Sequence, residues 1–459
     1  MLIFKMHPMR KQLLLYIMLP GLMSLAACNK FLDVKPKGVI IASTINDYEA
    51  MLNDVDIVNS FGLTSPLLAT DDVTDLSLSP RNQVSAPANL YFWNPYINAS
   101  PEKPDIWLDL YKRIANLNVV TEGVLSAENG TMKKKQQLYA EALTGKVFCY
   151  MHLLSFFSPA YDPKTANSVY GVPYITSTDI SVPTPERPAL EQSYQQLIND
   201  LQRAIPDLEE TNINNTRPTK TVAYALLSRL FMNMQDYPRA LKYADLVIAN
   251  GKAAVVNYNQ YLGRSLPPTN NSPEEILVRY ANNLTFRYAA DLINCYDTTA
   301  DLRIRFFAKR NIAGNPGALN YSNFLSYNPN RGITYPEILL NKAECLARQG
   351  DITAAMDIVN NDIRKNRFTP ARYQELTATS REEAITAVLA ERRRELAFKG
   401  VRWMDMKRLD QDKRMPAVRR IAADGVTVLA TLEPGSLRYT YQIPLQVQSF
   451  NPYMPLNKQ

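Results

Sequence analysis

Apolar residues recur at helical spacing along most of the chain beyond residue 105. Ile106, Leu110, Ile114 and Leu117 fall on one face of a helix predicted from Asp105 to Val124. Leu138, Ala142, Val147, Tyr150, Leu153 and Leu154 predict a second from Gln136 to Phe157. A third runs from Leu190 to Ile205, with Pro188 near its start and Pro206 closing it. No comparable period organises residues 64–104 or 250–331.

Residues 221–250 carry a more specific pattern. One helix is predicted to end near Met234, Asp236-Tyr237-Pro238 makes a turn, and a second helix runs from Arg239 to Ala249, stopped by Gly251. Tyr224, Leu227, Ser228 and Phe231 would face Ala240, Ala244 and Val247, the small residues letting the backbones approach closely. The layout returns at residues 335–364, where Leu339, Ala343 and Leu346 precede Gly350-Asp351, and Ala355 and Val359 follow. Two such hairpins match the tetratricopeptide pattern. The predicted fold class is therefore mainly α, with tetratricopeptide-like helical hairpins as scaffold and an irregular, loop-rich lobe. That lobe is assigned to roughly residues 64–104 and 250–331. Loops of that length are uncommon unless functional, and these hold Asp71, Asp72, Tyr91, Trp93, Tyr96, Tyr258, Tyr261, Tyr280, Tyr288, Tyr296, Tyr321 and Tyr327.

The N-terminus reads as an address. Arg10 and Lys11 precede an apolar stretch from Gln12 to Met23, and Leu25-Ala26-Ala27-Cys28 follows. The stretch is shorter than the roughly 20 residues of a bilayer helix and suits a signal peptide over residues 1–27. Small residues directly before a cysteine make a lipobox, whose thiol accepts a diacylglycerol, so Cys28 is the expected lipidation site and membrane anchor. Either Met1 or Met9 can serve as the start. The domain plan is a signal at 1–27 and one binding domain at 28–459.

Composition removes several functions. The formal charge is +7, and the removed signal carries Lys5, Arg10 and Lys11 with no acid, so no nucleic-acid footprint remains. Of two histidines, His7 lies in the signal, and His152 sits among Tyr150, Met151, Leu153 and Leu154 as a structural residue. That leaves no Ser–His or Cys–His pair, and no His/Cys cluster of zinc spacing. Cys149 and Cys345 lie in apolar helical patterns as buried thiols. No cofactor or metal is expected. Two carboxylates alone could still make a glycosidase.

The segment from Glu391 to Gly400, continued by Val401-Arg402-Trp403-Met404-Asp405-Met406-Lys407-Arg408-Leu409, is the most distinctive. Its spacing predicts a helix with Glu391–Arg394 and Glu395–Lys399 pairs on a solvated face, ended by Gly400. As a string it resembles the signature of the SusD/RagB-like family of nutrient-binding outer-membrane lipoproteins. Cys28 to Asp33 with Pro36-Lys37-Gly38, Trp107 to Tyr111 with Ile114-Ala115-Asn116, and Tyr439 to Pro455 resemble other parts of that family. The closing Gln-Asn-Pro-Gly-Tyr string of the family is absent. The resemblance implies a surface lipoprotein without catalytic activity that captures an oligosaccharide, or in some members a peptide. It also implies delivery to a SusC-like TonB-dependent transporter. A surface glycosidase predicts product from purified protein, and a purely organising repeat protein predicts no small ligand at all.

Sugars are gripped by flat aromatic faces and by acids or amides for their hydroxyls. Trp107 and Trp403 belong to scaffold motifs, which leaves Trp93 as the free platform. The expected ligand site is Trp93 with Tyr91, Asp72, Tyr296 and Tyr321, unless Trp93 packs beneath its own loop.

Overall fold

The computed structural model describes residues 42–59, 65–80, 85–99, 102–281, 286–310, 319–321 and 330–459. Cys28, the signal segment and Tyr327 lie outside the described residues. The helices used below are α1 (Ile45–Asn53), α2 (Ala86–Tyr91), α3 (Asp105–Gly123), α4 (Met132–Phe157), α5 (Leu190–Ala204), α6 (Lys220–Asn233) and α7 (Tyr237–Ala249). Beyond them come α8 (Leu302–Phe307), α9 (Tyr335–Gln349), α10 (Ile352–Asp357), α11 (Arg381–Glu395) and α12 (Arg402–Gln411). The fold is mainly α, as the periodicity predicts.

Helix starts follow local chemistry. Thr131 accepts from the Lys134 amide, so α4 begins at Met132, four residues before the predicted start at Gln136. Thr219 caps α6 in the same way. Asp236 caps α7, which starts at Tyr237 with Pro238 in its first turn, so the expected turn residues belong to the helix. Gly350 ends α9 at φ 94°, a conformation glycine adopts without the Cβ penalty.

The predicted hairpins are present. Helix α6 packs on α7, and α9 packs on both α7 and α11. Ser228, Ala240 and Ala244 are buried between the paired helices. The Ser228 hydroxyl donates to the Ala240 carbonyl at 3.1 Å and accepts from Asn341 at 3.2 Å. A single small polar side chain thus ties the first hairpin to the second. Helix α10 runs on into a π-helical turn, Ile358–Arg364, that buries Val359 and Ile363.

The signature segment behaves differently from its prediction. Helix α11 ends at Glu395, not at Gly400, so Lys399 is no longer one turn from Glu395. Glu391 is fully buried and accepts from Arg303, Arg364 and Arg394 at 2.7, 3.2 and 2.6 Å. Glu395 pairs with Arg367 and Arg303. Arg408 forks onto Glu344 at 2.7 and 2.8 Å, and Arg392 reaches Asp405 and Asn341. Only the Glu391–Arg394 pair forms as expected, and it lies in the interior. A carboxylate with several arginine partners can be desolvated where a lone one could not, which is how a run of charges becomes core.

Candidate ligand-binding lobe

The two irregular segments are one structure. β1 (Val73–Thr74), β2 (Phe286–Tyr288), β3 (Ala308–Lys309) and β4 (Asn320–Tyr321) form an antiparallel sheet in the order β1-β2-β4-β3. Val73 pairs with Tyr288 and Phe286 with Tyr321, so the first segment is hydrogen-bonded to the second. Strands this short are not stable alone; they need anchors.

The signature segment supplies them. Arg402 forks onto Asp71 at 2.7 Å to each oxygen, and Arg393 reaches Asp72 at 3.1 Å and Asp71 at 3.2 Å. On the other side Arg303 of α8 joins Asp301 to Glu391 and Glu395. The Tyr296 hydroxyl donates to the Arg394 carbonyl at 2.7 Å. The lobe is therefore fastened to α11 and α12 at both ends by desolvated ion pairs.

The five residues expected to grip a ligand sit inside this anchoring. Trp93 has no accessible surface, and its indole N–H donates to the Ala69 carbonyl at 2.8 Å. Tyr91 is 1% exposed and its hydroxyl accepts from the Asp75 amide at 3.1 Å. The guanidinium of Arg420 lies 4.0 Å from the Tyr91 ring centroid and 4.3 Å from that of Trp93. Arg420 also donates to the carbonyls of Leu68, Thr70, Val73 and Tyr91. A buried guanidinium held between two rings closes the first segment of the lobe. Trp93 is thus not a stacking platform in this structure: both faces of its ring are buried, and it packs under its own segment.

Asp72, also 1% exposed, is held by Arg393 and cannot reach a sugar hydroxyl. Tyr296 and Tyr321 do come together. They line one small enclosure with Tyr288, Arg303 and Phe398, and Tyr321 stacks on Phe398 at 4.3 Å. Its free space is about 20 Å³, room for one water and far below a sugar ring. These two are packing residues here, as Tyr91, Trp93 and Asp72 are. The lobe's described aromatics that keep partial exposure are Tyr96, Tyr261, Tyr280, Phe306 and Phe307. Sequence reading passed over them because ring size favoured the tryptophan, while nothing local distinguishes a surface tyrosine from a packed one.

Burial splits the adjacent carboxyls. Burial alone would raise Asp71, but Arg402 and Arg393 outweigh it and hold its carboxyl far below the ordinary range. Burial and the neighbouring Asp71 charge push Asp72 up to about 6. A raised carboxyl favours the folded state fully below the unfolded value, about 3.9, and loses that contribution as pH rises through about 6. Asp72→Asn should therefore flatten the pH dependence of unfolding free energy between pH 4 and 7. Urea titrations at several pH values would measure it, and unchanged slopes would refute the assignment.

His152 is buried, and burial pulls its pKa down to about 3, so it is neutral and structural. Cys149 and Cys345 are buried thiols, raised by burial. Among the described residues no helix is long and apolar enough to cross a membrane.

Comparison with known proteins agrees with this architecture. A family model described as "Starch-binding associating with outer membrane" matches residues 30–232, and one described as "SusD family" matches residues 320–451. A SusD superfamily protein from Bacteroides thetaiotaomicron VPI-5482 superposes with a TM-score of 0.73 at 22% identity, covering 91% of this chain and 100% of that one. A SusD-like carbohydrate binding protein from Bacteroides vulgatus ATCC 8482 superposes with a TM-score of 0.68 at 18% identity, covering 90% and 97%. No curated protein matches the chain. The family models match a SusD-like family of sugar- or nutrient-binding outer-membrane proteins, and the fold built on helical hairpins is the one its solved relatives share. The chain belongs to the SusD/RagB-like family.

Proposed function

We propose that this protein is a non-catalytic surface receptor, anchored by lipid on Cys28, that captures an oligosaccharide and hands it to a SusC-like TonB-dependent transporter. The observation that carries the reading is the match of a starch-binding, outer-membrane family model to residues 30–232, which include β1 and the Asp71–Trp93 part of the lobe. The division into a signal at 1–27 and one binding domain at 28–459 belongs to the same proposal.

The anchoring carboxyls of the lobe are committed to structure. A glycosidase needs a carboxyl with a raised pKa that touches substrate. Asp72 has the raised pKa, but it is buried against Arg393. Glu391 and Glu395 are occupied by arginines. Tyr96, Tyr261 and Tyr280 of the lobe stay partly exposed, with the Arg264 guanidinium 4.7 Å from the Tyr261 ring centroid.

Calorimetric titration of residues 29–459 with panels of oligosaccharides and peptides tests the reading. Saturable heat with one glycan class and no product is expected. Saturation by peptides alone would replace the glycan with a peptide, and turnover by purified protein would overturn the non-catalytic assignment.

A further inference from the structure

Away from the lobe, α12 and the chain beyond β5 (Val428–Leu432) enclose a second cleft of about 310 Å³, walled also by residues 159–170 and the C-terminal segment. That volume lies at the lower end of small-molecule pockets. Its walls are rigidly tied. Arg187 donates to the carbonyl of Pro455 and the side chain of Asn457, and Asn457 donates to the carbonyls of Phe157 and Tyr441.

Two buried polar groups line it with capacity to spare. Tyr439 is 4% exposed, its ring stacks on Trp403 at 5.7 Å, and its hydroxyl has no hydrogen-bond partner. A buried hydroxyl left unsatisfied costs about 1–3 kcal/mol, so an acceptor that reaches it recovers that cost. Lys407 is also 4% exposed and forms no ion pair among the described residues. Its ammonium donates to the carbonyls of Ser155 and Ser158, which leaves one of its three hydrogens. Burial without a counter-charge draws Lys407 down to about 7. Both groups can give a hydrogen bond, and the one formal charge is positive.

The rim supplies a different chemistry. Tyr170 is 41% exposed, with the Arg187 guanidinium 5.5 Å from its ring centroid. Asp410 and Asp162, both partly exposed, add carboxylates. Buried donors, partly exposed acceptors and an exposed aromatic ring in one lining match a ligand that has a carboxylate, hydroxyls and an apolar ring face.

We propose that this cleft is a second binding site, for a carboxylated sugar of the size of one hexuronate, whose carboxylate is bound by Lys407 and Tyr439. Asp410 takes the sugar hydroxyls and Tyr170 lies against the ring. The site shares no residue with the lobe, so it stands or falls independently of the capture function proposed above.

Calorimetry of residues 29–459 with glucuronate, galacturonate and glucose tests it. Saturable binding of a uronate is expected, at least tenfold tighter than glucose, since hydrogen bonds to charged groups exceed neutral ones by about that factor. Tyr439→Phe should weaken the uronate about tenfold without lowering the unfolding midpoint, because the lost hydroxyl has no partner in the unliganded protein. Lys407→Met should abolish uronate binding; if that variant does not fold, Tyr439→Phe carries the test alone. No uronate binding, equal affinity for glucose, or wild-type affinity in Tyr439→Phe would each overturn the proposal.

Discussion

Replacing Trp93 by alanine should lower the unfolding free energy by about 3–5 kcal/mol, the range for a buried aromatic truncated to a methyl group. The ring has no accessible surface and touches Arg420 with its face, so its loss opens a cavity and uncovers a buried guanidinium. The indole hydrogen bond to Ala69 goes with it. Trp93→Phe keeps an aromatic face against Arg420 and loses that hydrogen bond, so it should cost about half as much. Denaturant unfolding followed by circular dichroism gives both values. Tryptophan emission should sit at short wavelength in the folded state, since Trp93, Trp107 and Trp403 are all buried, and should not report ligand binding through Trp93. A fully stable Trp93→Ala protein that has lost glycan affinity would reverse the assignment and restore the ring as a platform.

The second large effect belongs to Glu391. It is fully buried and serves three arginines, so Glu391→Ala should cost about 3–5 kcal/mol, as when one member of a buried ion network is removed. Glu391→Gln keeps two acceptor lone pairs and the shape but leaves uncompensated positive charge, and should cost less than alanine. The exposed pair Lys342–Asp245 is the internal control, for which Asp245→Ala should change stability by less than about 1 kcal/mol. Parity between Glu391→Ala and the control would show that the signature carries no structural weight. A loss confined to ligand binding, with stability intact, would instead move Glu391 into the site.

Both predictions depend on facts that are not visible in the same way. The helices and both hairpins were legible in the sequence because their signals are local. Ser228, Ala240 and Ala244 recur at spacings that put them between two neighbouring helices, and all three are buried there. The family, too, was carried by contiguous strings from Trp107 to Tyr111 and from Glu391 to Leu409. Where local chemistry competed, small shifts followed. Thr131 started α4 earlier than the apolar period suggested, and the helix expected to reach Gly400 ended at Glu395.

The burial of the lobe had no local signal. Arg393 reaches Asp72 across 321 residues and Arg420 reaches Tyr91 across 329, and each contact turns a residue that looks available into one that is enclosed. A charge run such as 391–395 satisfies the pattern of a solvated face equally well until its partners are known. By itself the sequence determined the helical scaffold, the structural role of His152 and the family, because period, capping and contiguous motif are properties of neighbouring residues. Only the tertiary structure decided which aromatics and carboxyls face a ligand. Desolvation depends on everything packed around a group, and here that packing comes from the far end of the chain.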